Sequence, residues 1–225
     1  MRGVWIAGTD TDIGKTYITA QLLSHLRKDV DALPMKPVQT GSVGQKAPDL
    51  EYCLHHARLT PTDKEYSLMC PYLFEPACSP HLAAKIAQRT IDIDYIRQCA
   101  NSLWKSRDFL VIEGAGGLLV PINEHQTMLD LMKALPLPVL LVARGGLGTI
   151  NHTLLSLKAL REASLPIVGV ILNDAVDIKD DFIRKDNPQA ISLLGNIDIL
   201  DNVYFGSSLS GESYARLYNV LSNAS

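Results

Sequence analysis

The 225-residue sequence has no CxxC pair, no apolar run of the ~18 residues that a membrane span needs, and no strong excess of one charge. Each absence excludes a class of protein. The four cysteines, Cys53, Cys70, Cys78 and Cys99, lack the tight ligand pairing of a zinc site, and so do the neighbouring pairs Cys78/His81 and His55/His56. Unpaired thiols fit a reducing compartment, so the expectation is a cytoplasmic protein. A net charge of −3 supplies no basic field for nucleic acid or an anionic membrane, and neither is expected as a partner. There is no internal repeat, low-complexity tract or long Pro/Gly/Ser linker. The opening Met1-Arg2-Gly3-Val4-Trp5-Ile6-Ala7-Gly8 is too short for the apolar core of a signal peptide and reads as a first strand.

What the sequence does have is alternation. Short runs rich in Val, Ile and Leu, at 4–7, 109–112, 139–143 and 167–172, lack polar alternation, the pattern of strands buried on both faces of a parallel sheet. A further, shorter strand is expected at 35–38. Helical spacing of apolar residues predicts helices at 15–27, 91–104, 127–135, 151–163 and 210–221, with Asp92 and Thr127 as N-caps. The expected fold class is α/β: a single domain over 1–225 with a mostly parallel, doubly wound sheet flanked by helices. In such folds ligands sit at the carboxyl ends of the strands, so chemistry is sought just after each apolar run.

After the first run comes Gly8-Thr9-Asp10-Thr11-Asp12-Ile13-Gly14-Lys15-Thr16. Gly-Lys-Thr opening a helix is the tail of a phosphate-binding loop, so the expected α/β fold is of the P-loop NTPase type. Backbone N–H groups from Asp12, Ile13, Gly14, Lys15 and Thr16 would converge on nucleotide phosphates, aided by the positive end of the helix. Lys15 would neutralise phosphate charge, and the Thr16 hydroxyl suits Mg²⁺. The spacing departs from the usual motif: Thr9 stands at the first glycine position, with Gly8 one place early.

Other polar groups follow strands. Glu113 ends the run 109–112 and precedes Gly114-Ala115-Gly116-Gly117, a place where an acid holds Mg²⁺ beside a phosphate loop. Lys36 in Met35-Lys36-Pro37-Val38-Gln39-Thr40-Gly41 is placed to meet transferred phosphate charge, or is a surface lysine. Asp49 reads as the cap or first-turn acid of a helix. Asn173-Asp174 after 167–172 reads equally as a base-reading amide or as a turn.

These segments together resemble the dethiobiotin synthetase family. The phosphate loop with its late glycine, Lys36-Pro37-Val38-Gln39-Thr40-Gly41, Ser79-Pro80-His81, Glu113-Gly114-Ala115-Gly116-Gly117, Gly148-Thr149-Ile150-Asn151-His152 and Asn173-Asp174 follow the family's order. The resemblance implies ATP-dependent closure of a ureido ring on 7,8-diaminopelargonic acid with CO₂, through a carbamic-phosphoric anhydride. It implies Thr16, Asp49 and Glu113 as Mg²⁺ ligands, and Lys15 and Lys36 as catalytic lysines. Gly114, Ala115 and Gly116 would lie at ATP, and Asn173, Asp174, Asp198, Ile199 and Leu200 at its base. Thr40 would contact the diamine, with Gly148, Thr149, Ile150 and Asn151 taking its carboxylate from a partner subunit, hence a homodimer. Asp198 replaces a proline common in the family. An amide synthetase of the cobyrinic acid type would carry a glutamine-hydrolysing domain, for which 225 residues leave no room. A nucleotide-switch ATPase would carry a second lysine where Asp10 stands.

Overall fold

In a computed structural model describing residues 2–42, 44–177 and 182–223, the apolar runs assemble into one parallel sheet. Its strands are β1 (Gly3–Gly8), β2 (Ala32–Met35), β5 (Phe109–Glu113), β6 (Val139–Arg144), β7 (Ile167–Asn173) and β8 (Ile199–Val203), in the order β2-β5-β1-β6-β7-β8. Every pairing is parallel. Parallel neighbours cannot be joined by a tight turn, so helices carry the crossovers and cover both faces.

Alternation along β1 shows how the two layers form. Val4 and Ile6 point to one face, where they meet Ile18, Leu22 and Leu23 of α1 (Lys15–Leu26) and Leu217 of α9 (Gly211–Asn223). Trp5 and Ala7 point to the other, with Ile96 of α5 (Ile93–Trp104), Leu131 of α6 (Met128–Ala134) and Leu160 of α7 (Thr149–Glu162). Trp5 is fully buried, and its indole N–H donates to the Leu135 carbonyl at 2.9 Å, so no donor is stranded. α8 (Phe182–Gly195) packs on α7, and its run passes through Pro188, a residue that sequence rules count against a helix.

The caps expected at Asp92 and Thr127 are present. Asp92 Oδ1 accepts from the Asp94 N–H at 2.8 Å, and Thr127 forms a capping box with Asp130. The strand expected at 35–38 is corrected. Regular pairing in β2 stops at Met35, and Val38–Gln39 (β3) pairs instead with Tyr72–Leu73 (β4) in a separate two-stranded sheet. Pro37 has no N–H to give a ladder, and the Lys36 N–H turns to the Met69 carbonyl at 2.9 Å. Pro34 is tolerated inside β2 because β2 is an edge strand. Short helices fill the segment between β3 and β5: α2 (Pro48–His56), with Asp49 in its first turn as expected, and α3 (Asp63–Met69) and α4 (Pro80–Ile86), which were not anticipated. Among the described residues no helix is long and apolar enough to cross a membrane.

Candidate active site

The carboxyl ends of β1, β2 and β5 meet around the loop that leads into α1. Asp12 (φ 55°) and Gly14 (φ 85°) both take left-handed backbone, which turns successive N–H groups toward one concavity. Gly14 is required twice over. Its φ disfavours any side chain, and a Cβ there would stand 2.1 Å from the Asn173 amide nitrogen. That amide donates to the Ile13 carbonyl at 2.9 Å and ties the end of β7 to the loop. Gly8, one place early in the motif, has its own reason. The Lys15 side chain lies over it, and a Cβ would be 2.8 Å from Lys15 Nζ. Lys15 donates to the Asp10 carbonyl at 2.7 Å.

The acids and the second lysine form one cluster. Lys36 Nζ lies 2.7 Å from Glu113 Oε1 and 2.7 Å from Asp49 Oδ2, and it also donates to the Gly114 carbonyl at 3.2 Å. The Thr16 hydroxyl donates to Glu113 Oε1 at 2.9 Å. Lys36 and Glu113 are buried. Two carboxylates on one ammonium, with the Thr16 hydroxyl on one of them, form an all-oxygen set with the hardness that Mg²⁺ prefers. Among the described residues no group of three or more His, Cys, Asp or Glu side chains could hold a metal, and the cysteines are free.

Charge follows placement. Burial alone would lower the Lys36 ammonium, but Glu113 and Asp49 more than reverse this and hold it above the ordinary lysine range. Lys15 is lowered to about 8, first by burial and then by repulsion from Lys36, with the nearby acids offsetting part. Burial would raise Asp49, but the Lys36 charge and hydrogen bonds from Lys36, Thr16 and Gln39 bring it below the usual carboxylate range.

A cleft of about 890 Å³ opens over this cluster. Asp12, Gly14, Lys15, Thr16, Lys36, Thr40, Asp49, Glu113, Ala115 and Gly116 line it, so the structure brings most of the sequence-derived set together. Gly114 contributes the carbonyl that Lys36 uses. Gln39 and Ser79 line it as well. Both lie in motifs visible in the sequence, but neither residue type announces a role there. Gln39 accepts from the Asp49 N–H at 3.4 Å and so helps seat the start of α2.

Three groups of expected residues lie off the cleft lining, Asn173 and Asp174 among them. Gly148, Thr149, Ile150 and Asn151 open α7 but do not line the cleft, and the Thr149 hydroxyl is occupied with Thr153 at 3.3 Å. Asp198, Ile199 and Leu200 lie at the amino end of β8. Register pairs Asn173 with Val203, so Ile199 sits about 13 Å down the strand, at ~3.3 Å per residue, away from the loop. The Asp198 side chain is exposed and pairs with Arg216 at 3.5 Å. The part of this segment that reaches the loop side is later. The Asp174 N–H donates to the Val203 carbonyl at 3.0 Å, and the Tyr17 hydroxyl donates to the Ser207 carbonyl at 2.7 Å. Beside Asn173, Asp174 is buried in an ion pair with Arg184 at 2.6 Å.

A family model described as an AAA domain matches residues 2–213. A curated relative from Halalkalibacterium halodurans, ATP-dependent dethiobiotin synthetase BioD, is 38% identical over 221 residues, covering 93% of this chain and 87% of its own. The protein of the same name from Anaeromyxobacter sp. strain Fw109-5 is 40% identical over 80% of each chain. Among solved structures, a Pyrococcus furiosus cell division ATPase MinD matches with TM-score 0.60 at 16% identity, covering 100% of this chain and 99% of that one. A plasmid partition protein from Borrelia burgdorferi matches with TM-score 0.61 at 13% identity, covering 99% and 96%. At such identity the structural likeness carries the fold alone.

Proposed function

The chain belongs to the family of ATP-dependent dethiobiotin synthetases, and from that premise we propose that it carboxylates 7,8-diaminopelargonic acid with CO₂ and closes the ureido ring at the expense of ATP. The observation that carries this reading is Lys36, gripped by Glu113 and Asp49 at 2.7 Å each beside the phosphate loop. A nucleotide-binding module has no use for a second buried lysine there.

The chemistry needs positioning and charge neutralisation more than covalent help from the protein. One substrate amine adds to CO₂ to give a carbamate. A carbamate oxygen takes the γ-phosphoryl group, and ADP leaves. The second amine attacks the activated carbonyl, and phosphate departs as the ring closes. In this reading Lys15 and the loop N–H groups hold the phosphates. Lys36 stays charged at neutral pH and stabilises negative charge as it moves from the carbamate to the phosphoryl oxygens. Thr40 lines the same cleft and would bind the diamine. The oxygen donors of Thr16, Asp49 and Glu113 fit Mg²⁺, which would supply further neutralisation of phosphate charge. Asn173 would lie at the base end of ATP.

The substrate carboxylate would be taken by Gly148–Asn151 of a second subunit, since in one subunit this helix start lies off the cleft. A further depression of about 510 Å³ supports the homodimer: it is lined by Thr11, Leu119, Val120, His152 and Leu155, between the loop and α7. The 1–225 chain is taken as one such catalytic unit, working in the cytoplasm.

Phosphate release by the purified protein tests the proposal. Release should require both the diamine and bicarbonate, and Lys36→Ala should lower kcat/KM by about 10²–10³-fold, the cost of removing one aimed charge. Release indifferent to the diamine would refute it.

A further inference from the structure

The nucleotide's direction across the sheet can be read from strand order. Lys36 and Glu113 stand at the ends of β2 and β5, on one side of β1, while β6, β7 and β8 lie on the other. A triphosphate on the loop with its terminal phosphate toward Lys36 therefore runs its base toward the ends of β7 and β8. Asn173 marks that end through its bond to the Ile13 carbonyl. The next residue is an acid, and an acid beside a nucleobase has consequences. Guanine presents two donors on one edge, N1–H and the 2-amino group, and a free carboxylate accepts both. Adenine presents only its 6-amino group beside an acceptor nitrogen that a carboxylate repels.

The acid is not free. Asp174 Oδ2 lies 2.6 Å from Arg184 Nη1, with the two side chains 1% and 3% exposed. Arg184 Nη2 donates to Asn202 Oδ1 at 3.0 Å, and its guanidinium lies 3.9 Å from the Tyr204 ring centroid. Gly145 closes the other side: a Cβ there would come within 2.4 Å of Asp174 Oδ1 and 2.8 Å of Arg184 Nε. Asp174 Oδ2 and both terminal nitrogens of the fork are thus committed within the protein, and Asp174 Oδ1, although it has no hydrogen-bond partner, is buried against Gly145 and out of reach of a base. Neither can turn to guanine, the acid for its donors or the fork for O6 and N7.

We propose that Arg184 is a specificity-determining residue, which holds Asp174 away from the base and so denies the site to guanine nucleotides. The inference rests on the nucleotide reading of the loop and deepens it. A site whose polar groups match one base rejects others strongly, because a mismatched base leaves buried groups unpaired.

The test is the ratio of affinities for ATP and GTP, read by displacement of a fluorescent ATP analogue from the full chain. A ratio does not depend on how much protein is active. Wild type should prefer ATP. Arg184→Met should move the ratio toward GTP by at least about tenfold, and adding Asp174→Asn should move it back, because an amide cannot accept two donors. If Arg184→Met does not fold, Arg184→Gln carries the same expectation, since it keeps a donor for Asn202 and loses the charge. A wild type indifferent to the base overturns the proposal, and so does a variant that weakens both nucleotides in parallel. Diamine-independent phosphate release would defeat the synthetase reading while leaving this ratio measurable.

Discussion

Lys15 and Lys36 show how one residue type is given two electrostatic states within one cleft. Lys36 has two carboxylates in direct contact and stays charged. Lys15 has a carbonyl partner and a neighbouring ammonium, and burial lowers it to about 8. The sign of its effect on stability follows. Between about 8 and the ordinary lysine value of 10.5, the unfolded chain binds a proton that the folded chain has released, so folding gains as pH rises through that window. Lys36 has the opposite sign, and its loss lies above 10.5, outside the window. In chelator and without nucleotide, the stability of wild type relative to Lys15→Met should therefore rise from pH 8 to 10.5, by up to about 3 kcal/mol at 1.36 kcal/mol per unit. Denaturant unfolding at several pH values measures it. A flat difference would mean that Lys15 is charged in the empty loop throughout.

At the scale of elements, what surrounds a run decides where it stops. β2 ends because Pro37 cannot donate, and that break frees Lys36 from the ladder and lets its side chain reach across to Glu113 on β5. α5 starts where it does because Asp92 satisfies the Asp94 N–H, with Ile93, Ile96 and Leu103 then facing the core. Asp92→Ala should cost about 1 kcal/mol and lower Tm by roughly 2–4 °C, without changing nucleotide affinity, since the cap lies far from the cleft in the sequence of elements. Calorimetry with and without ATP checks both halves. α2 shows another balance: Pro48 sets the first turn, leaving Asp49 free to pair with Lys36 at 2.7 Å rather than cap its own helix.

For the whole molecule, the question is what lies beside α7. Leu119, Leu147 and Leu155 are 66%, 82% and 59% exposed. Leu119 and Leu155 line one depression and Leu147 lies just before α7; exposed apolar side chains of this kind are the mark of an interface, and the homodimer proposed above would cover them. Light scattering should then return about twice the 24.7 kDa chain mass. Leu155→Asp should return the single mass and raise KM for the diamine about tenfold or more, with ATP displacement little changed, because in the proposed dimer only the carboxylate site would be shared between subunits. A monomeric wild type with full activity would remove the partner from the reaction.

Much of this was legible in the linear order of residues. The phosphate loop, the acid ending β5, the lysine after β2 and the Asn-Asp pair after β7 are local patterns. Each sits directly after an apolar run, and strand ends of a parallel sheet share one edge, so order along the chain carried over into space. The capped starts of α5 and α6 were local for the same reason. Whatever depends on register or on long-range packing was not legible. That Asp198, Ile199 and Leu200 lie at the amino end of β8 follows from its pairing with β7, which is set by side-chain packing across the sheet and which a run of apolar letters does not encode. Asp49 as a partner of Lys36, Gly8 as a bed for Lys15, and Arg184 as the keeper of Asp174 join residues 13, 7 and 10 places apart. Such contacts arise only when separate elements are brought together, because a side chain's partner is chosen by distance in the folded chain and not by distance along it.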